Sequence, residues 1–318
     1  MKTRQFGMTD MEITPIGYGS WAIGGNNWAV GWGPQDDQQA VAAIKRALGL
    51  GINWIDTAAV YGLGHSEELV GQALKGGDNH PYIFTKCSRL WDSQGNPYGN
   101  LKADSIRREA EASLKRLQVD VIDLYQMHWP DPEQDIEEGW EAMARLKEEG
   151  KVRYIGVSNF NVEQMRRIMK IAPIDSLQPP YSLMNREAER ELLPFCQENN
   201  IGVIVYSPMA SGLLTGSMTR ERVANMPDDD WRKHDSRFQE PQLSHNLALV
   251  EKLNEIGFTR NLSPGIVAIA WTLRQPAVTG AIVGVRSPEQ IENLLPAAEF
   301  RLSDVELAEI DEFLEKNP

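Results

Sequence analysis

Apolar runs alternate with amphipathic segments along most of the chain. The first run, ITPIGYG at 13–19, reads as a strand. Next comes DDQQAVAAIKRALGLG, with Ala40, Ile44, Ala47 and Leu48 at helical spacing and Gly49 and Gly51 marking its end. INWID and PYIFTK are the next two strands. Between them HSEELVGQAL predicts a helix with Ser66 as its N-cap. The alternation continues through ADSIRREAEASLKRL (helix), VIDLYQMH (strand), DIEEGWEAMARLKEEG (helix), VRYIGVSN (strand) and VEQMRRIMKI (helix). SLQPP, then a helix over REAERELLPFCQENN, then IGVIVYS extend it. An irregular stretch at 208–243 interrupts the rhythm. Two helices, a last strand TGAIVGV, a helix PEQIENLL and a terminal amphipathic helix SDVELAEIDEFLEK complete the chain.

The strands number eight, near positions 16, 53, 82, 122, 152, 176, 202 and 280. Strand-helix alternation implies parallel strands with right-handed crossovers. Eight such units in a chain of 318 residues point to an α/β fold, a closed (β/α)8 TIM barrel forming one domain over 1–318. A doubly wound open sheet would require a glycine-rich turn leading straight into a helix after the first strand. GYGSWAIGG has some of the glycines, but no helix follows at once. KTRQFGMTDMEI, ahead of the first barrel strand, reads as a hairpin able to plug the barrel bottom.

Charge and cysteine content narrow the class. A formal net charge of −13 disfavours phosphate backbones and anionic lipid as partners. Cys87 and Cys196 read as two free thiols of a reducing compartment. The N-terminal segment has no apolar core of a signal peptide, and no run approaches the roughly 20 apolar residues of a membrane span. These features predict a soluble cytoplasmic protein, monomeric by default.

In a (β/α)8 barrel, chemistry sits at the carboxyl ends of the strands. Those ends carry Asp56, Lys86, His128, Ser158 with Asn159, Gln178, Tyr206 with Ser207, and Gly284 with Arg286. Each has an ordinary explanation as a cap, turn former or snorkelling side chain. Together they converge on one mouth. Tyr61 joins them from the loop after Asp56. A phenol with a pKa of about 10 donates its proton poorly at neutral pH unless its surroundings change it. A nearby Lys86 ammonium would stabilise phenolate, and Asp56 would keep that ammonium charged. A neutral His128 could orient a carbonyl oxygen toward Tyr61. The set suits protonation of an oxygen that is becoming an alkoxide, paired with hydride delivery to carbon. The five histidines, at 65, 80, 128, 234 and 245, form no H-x-H pair after a strand, so no metal site is expected.

The chain resembles the aldo-keto reductase superfamily, in a bacterial branch. The resemblance rests on DTAAVYGLGHSEELVG (Asp56, Tyr61), IFTKC (Lys86), DLYQMHWPDP (His128) and GKVRYIGVSNF. It implies catalysis by Tyr61, Asp56, Lys86 and His128, and NADPH bound extended across the barrel mouth. Ser158, Asn159 and Gln178 would hold the nicotinamide carboxamide, and Tyr206 would stack on the ring. Ser207, Met209, Ser211, Gly212 and Leu213 would line the pyrophosphate path with backbone N–H groups. Gly284 opens the segment holding the adenosine end, where Arg286 would face a 2′-phosphate and Gln290 and Asn293 the adenine. Many members carry a second basic residue where this chain has Gln290, so NADH use is also open. The implied partner is a small-molecule carbonyl substrate. Alternatives are a sugar or polyol dehydrogenase, or a cofactor-binding sensor on the same fold. Trp21, Trp28, Trp32, Trp91 and Trp129 suggest a broad aromatic pocket. The charged segment 225–240 is either a lid or a loose loop.

Overall fold

The computed structural model describes residues 1–26, 28–77 and 80–317. A short hairpin, β1 (Arg4–Gln5) and β2 (Glu12–Ile13), precedes the first barrel strand, β3 (Ile16–Gly19). The barrel continues with β4 (Trp54–Asp56) and β5 (Tyr82–Cys87). A second hairpin, β6 (Arg89–Trp91) and β7 (Pro97–Gly99), interrupts it before β8 (Ile122–Met127). Then follow β9 (Val152–Ser158), β10 (Ser176–Gln178), β11 (Gly202–Val205) and β12 (Val278–Gly284). These eight strands pair in parallel in chain order, and β12 closes on β3. The (β/α)8 barrel read from the sequence is the fold.

Helices fill the crossovers: α1 (Asp37–Gly49), α2 (His65–Leu74), α3 (Ala103–Leu117), α4 (Ile136–Glu148), α5 (Val162–Ile168) and α6 (Leu192–Glu198). Beyond β11 come α7 (Arg220–Ala224), α8 (Gln242–Phe258) and α9 (Pro264–Thr272). Past β12 lie α10 (Pro288–Leu294) and α11 (Asp304–Lys316). Local sequence explains several starts. Asp36 accepts from the Gln39 amide ahead of α1, and Asn161 and Gln164 form a capping box on α5. α9 is buried at every position, so its sequence shows no amphipathic stripe.

Two local expectations change. α6 covers only the second half of the helix expected over REAERELLPFCQENN. Pro194 has no amide hydrogen and fits a helix only in its first turn, so α6 begins just before it, at Leu192. Ser66 is not the cap of α2. Gly64 holds that position, and Ser66 is buried, donating to the Ser20 carbonyl oxygen at 2.7 Å. A buried hydroxyl must find a partner, and that need outweighs the surface capping preference.

The barrel interior is plugged from below. Phe6, Met11 and Ile13 of the first hairpin pack with Trp54, Phe84, Leu124, Ile204 and Ile282 from the strands. Burying each large apolar side chain is worth about 1.5–3 kcal/mol. Gly7 makes the tight approach possible: it sits at φ +54, and a Cβ there would lie 2.4 Å from the Gly202 nitrogen. With the bottom filled, the cavity opens only at the carboxyl ends of the strands. Cys87 and Cys196 are buried free thiols. Among the described residues no helix is long and apolar enough to cross a membrane.

Candidate active site

β4 and β5 deliver two opposite charges to one point. The Lys86 ammonium lies 2.6 Å from Asp56 Oδ1, both almost fully buried. Lys86 Nζ also donates to the Thr57 carbonyl at 2.9 Å and to the Tyr61 hydroxyl at 3.4 Å. Asp56 Oδ2 accepts from Gln178 Nε2 at 2.8 Å. Burial presses Asp56 upward and Lys86 downward in pKa, each toward its neutral form. Their mutual contact and the surrounding hydrogen bonds oppose that drift. Satisfied on both sides, the pair holds its charges.

Tyr61 and His128 complete the cluster. Their rings meet edge to face with centroids 5.7 Å apart. Burial, with Asp56 adding, holds the Tyr61 phenol well above its ordinary value of 10.0. The sequence reading expected Lys86 to draw it down. In the resting site, desolvation and the carboxylate win, so Tyr61 keeps its proton. Burial, reinforced by Lys86 and Arg89, holds His128 well below 6.5, and its imidazole is neutral. A neutral imidazole and a protonated phenol side by side offer hydrogen bonds to one oxygen between them.

A pair of facing glycines sets the position of Tyr61. Gly62 has φ +59, and a Cβ there would meet the Gly24 carbonyl oxygen at 2.2 Å. Gly62→Ala is therefore expected to cost about 2 kcal/mol or more, since left-handed strain adds to the clash. It should also slow turnover by shifting the phenol. Urea denaturation and a steady-state assay on the same preparation check both effects.

One cavity of about 1150 Å³ runs from this cluster across the mouth. Asp56, Tyr61, His128, Ser158, Asn159, Gln178, Tyr206, Ser207, Met209, Ser211, Gly212, Gly284, Arg286, Gln290 and Asn293 all line it. Lys86 lies beneath its floor. Leu213 does not line it and belongs to the hydrophobic core. Asn159 ties the wall together: it donates to the His128 carbonyl at 2.9 Å and accepts from the Tyr206 hydroxyl at 2.8 Å. Ser158 donates to the Gln178 carbonyl at 2.8 Å. Asn159, Ser207 and Ser211 all take positive φ without being glycine. Such strain persists where the surroundings fix the backbone, and here it falls on two loops that line the cavity, the one after β9 and the one after β11.

Four of the five expected tryptophans line the cavity: Trp21, Trp28, Trp32 and Trp129. Trp91, on β6, is not among the lining residues. Three contributors escaped the sequence reading. Trp231 stacks on Trp21 with centroids 5.6 Å apart, and Arg222 and Arg232 line the cavity. Arg232 lies over the Trp32 ring at 4.4 Å and donates to the Ser211 carbonyl at 3.3 Å. The segment 225–240 therefore packs across the mouth instead of lying loose. Its WR pair, inside an acidic and aperiodic stretch, was the available signal.

The cavity fits a nicotinamide dinucleotide. At about 1150 Å³ it is large enough for a cofactor and a small substrate. The aromatic Tyr206 is part of its wall. Four guanidinium groups line the cavity of this acidic chain; Arg89 and Arg232 pair with Asp131 and Asp230, while Arg222 and Arg286 make no salt bridge among the described residues and suit phosphate groups. Gln178 spends its amide on Asp56, which leaves Oε1 for an N–H donor such as a carboxamide.

The chain is similar to known proteins over nearly its whole length. The model of the aldo/keto reductase family matches residues 15–315. Aldo-keto reductase YhdN of Bacillus subtilis (strain 168) is 41% identical over 310 residues, covering 96% of this chain and 92% of that protein. The NADH-specific methylglyoxal reductase of Escherichia coli (strain K12) is 35% identical, covering 99% of this chain and 100% of that protein. Among solved structures, a glycerol dehydrogenase from Gluconobacter oxydans superposes with a TM-score of 0.90 at 36% identity, covering 99% of this chain and 96% of that one.

Proposed function

The chain belongs to the aldo/keto reductase family, and on that premise we propose that it reduces an aldehyde, ketone or sugar carbonyl to the alcohol with Tyr61 as proton donor. The observation that carries this reading is the chain of contacts from Asp56 through Lys86 to the Tyr61 hydroxyl, with His128 beside it, at one large cavity. NADPH or NADH, when bound, supplies the hydride. Tyr206 and Asn159 would position the nicotinamide end, and Gln178 Oε1 would be free to accept from its carboxamide. His128 and Tyr61 grip the carbonyl oxygen. As negative charge develops on that oxygen, Tyr61 gives up its proton, and the Lys86 ammonium beneath stabilises the phenolate left behind. Trp21 stacks near Tyr61 with centroids 6.2 Å apart and keeps water from its outer side.

We take NADPH as the preferred cofactor, with Arg286 reading the 2′-phosphate. A specific observation keeps NADH as the second cofactor: the Arg286 guanidinium already donates to Trp32 and Pro34 carbonyls and to Gln35. A 2′-phosphate must compete with those contacts. Arg286→Ala is expected to weaken NADPH at least about tenfold, the worth of a charged hydrogen bond, and NADH far less. Fluorescence titration of both cofactors checks this, and equal losses would remove Arg286 as the phosphate reader.

The direct test of function is a panel of aryl aldehydes, methylglyoxal-like dicarbonyls and sugars, followed by cofactor absorbance with NADPH and then NADH. Turnover of at least one carbonyl is expected. Silence across the panel with tight cofactor binding would favour a sensor. A second reading, polyol oxidation, is supported by the similarity to the glycerol dehydrogenase. The same residues serve it in reverse, with Tyr61 phenolate as the base.

A further inference from the structure

The loop from β3 to α1 forms part of the pocket wall, and its attachment is unusual. Trp28, Val30 and Trp32 line the cavity near Tyr61. The Trp32 ring meets Trp21 edge-on at 5.2 Å and Trp231 at 5.9 Å. Its backbone pairs with Asp230 of the 225–240 segment. At its far side the loop hangs on Arg286. Nη1 of Arg286 donates to the Trp32 carbonyl at 3.0 Å, Nε to Gln35 Oε1 at 2.5 Å, and Nη2 to the Pro34 carbonyl. Gln35 Nε2 returns a bond to the Arg286 carbonyl at 3.3 Å.

Every acceptor on that guanidinium is neutral. Among the described residues Arg286 makes no salt bridge, and its charge is half-buried near the Arg232–Asp230 ion pair, whose carboxylate is engaged at 2.6 Å by Arg232. A phosphate offers the guanidinium a full opposite charge and bidentate geometry, which separate carbonyl acceptors do not. A phosphate dianion in the same cavity would outbid carbonyl oxygens for the fork. Releasing the fork would free the loop that carries Trp28 and Trp32.

We propose that Arg286 is a positioning residue for the substrate pocket, latching the Trp32–Gln35 segment, and that a 2′-phosphate on the dinucleotide competes for this latch. The proposal rests on the reading of the cavity as a dinucleotide site. It makes the cofactor's phosphate a determinant of substrate grip. With NADH the latch stays closed, and Trp28 and Trp32 hold the pocket wall. With NADPH the fork turns to the phosphate, the wall loosens, and the carbonyl KM rises while kcat changes little.

The test uses the full chain and two fragments that cannot support turnover, 2′,5′-ADP and 5′-ADP. Binding is read by calorimetry, and hydrogen exchange is followed over residues 28–35. Expected is faster exchange there with 2′,5′-ADP and none of that change with 5′-ADP. Gln35→Ala removes one loop acceptor outside the cavity. It should tighten 2′,5′-ADP by up to about tenfold, the worth of one hydrogen bond to a charged group, and leave 5′-ADP unchanged. It should also raise the carbonyl KM measured with NADH. Binding of 2′,5′-ADP with exchange unchanged or slowed overturns the latch and leaves the cofactor site standing. Failure of both fragments to bind overturns the cofactor reading, and the latch with it. If Gln35→Ala does not fold, the exchange comparison on the unaltered chain decides alone.

Discussion

Tyr61→Phe is expected to lower carbonyl reduction about 10²–10⁴-fold, the usual contribution of a positioned general acid, while cofactor affinity stays near that of the unaltered protein. The substitution removes one oxygen and keeps the ring between Trp21, Trp28 and His128. The pocket wall is therefore preserved, and the loss falls on the proton. Lys86 loses one hydrogen-bond acceptor but keeps Asp56 and the Thr57 carbonyl, so its charge remains held. Single-turnover oxidation of bound cofactor isolates the step, and a separate titration measures affinity. A pH series on the unaltered protein adds a second check. Because His128 lies well below 6.5 and Tyr61 well above 10.0, neither changes charge in the neutral range. The kcat for reduction should be nearly flat from about pH 7 to 9. A limb near 6.5 would mean that His128 titrates in the complex. Near-normal turnover by Tyr61→Phe would remove the proton donor and redirect attention to His128.

The barrel and its polar mouth were readable because both depend on short-range pattern. Apolar runs set the strands, and the parallel barrel aligns their ends, so the sequence pattern alone brings Asp56, His128, Asn159 and Gln178 to one cavity, with Lys86 at the same strand ends. What could not be read depends on contacts distant in sequence and without period. Trp231 and Arg232 reach the pocket from an irregular segment and are fixed by Trp21, Trp32 and the Ser211 carbonyl. Arg286 looked like a free phosphate reader, since nothing in its own segment reveals the carbonyls of residues 32 and 34 that it bonds. Ser66 misled for a related reason. Its local spacing fits a cap, but its partner is Ser20, 46 residues away. Leu213 has its side chain in the core, so it could serve a cofactor path only through its backbone amide.

The buried pair should separate stability from catalysis. Asp56→Asn leaves the Lys86 ammonium with no full counter-charge in a desolvated floor, and Lys86→Met leaves the Asp56 carboxylate in the same position. Each is expected to lower stability by about 3–5 kcal/mol, the usual cost of breaking a buried ion pair from one side. In Asp56→Asn the side-chain amide could still accept from Lys86 or Gln178 through its oxygen, so the loss there should fall at the lower end. The double variant, Asp56→Asn with Lys86→Met, contains neither stranded charge. It should regain most of the lost stability, because two compatible neutral groups need no desolvation of ions. Activity should not return. Without the ammonium nothing under the phenol stabilises phenolate, and the Tyr61 proton becomes harder to release. Urea denaturation of the four proteins gives the coupling free energy, and single-turnover rates give the catalytic cost. Additive stability losses would show that Asp56 and Lys86 do not face each other as charges. Recovered turnover in the double variant would show that the tyrosine acts without the lysine.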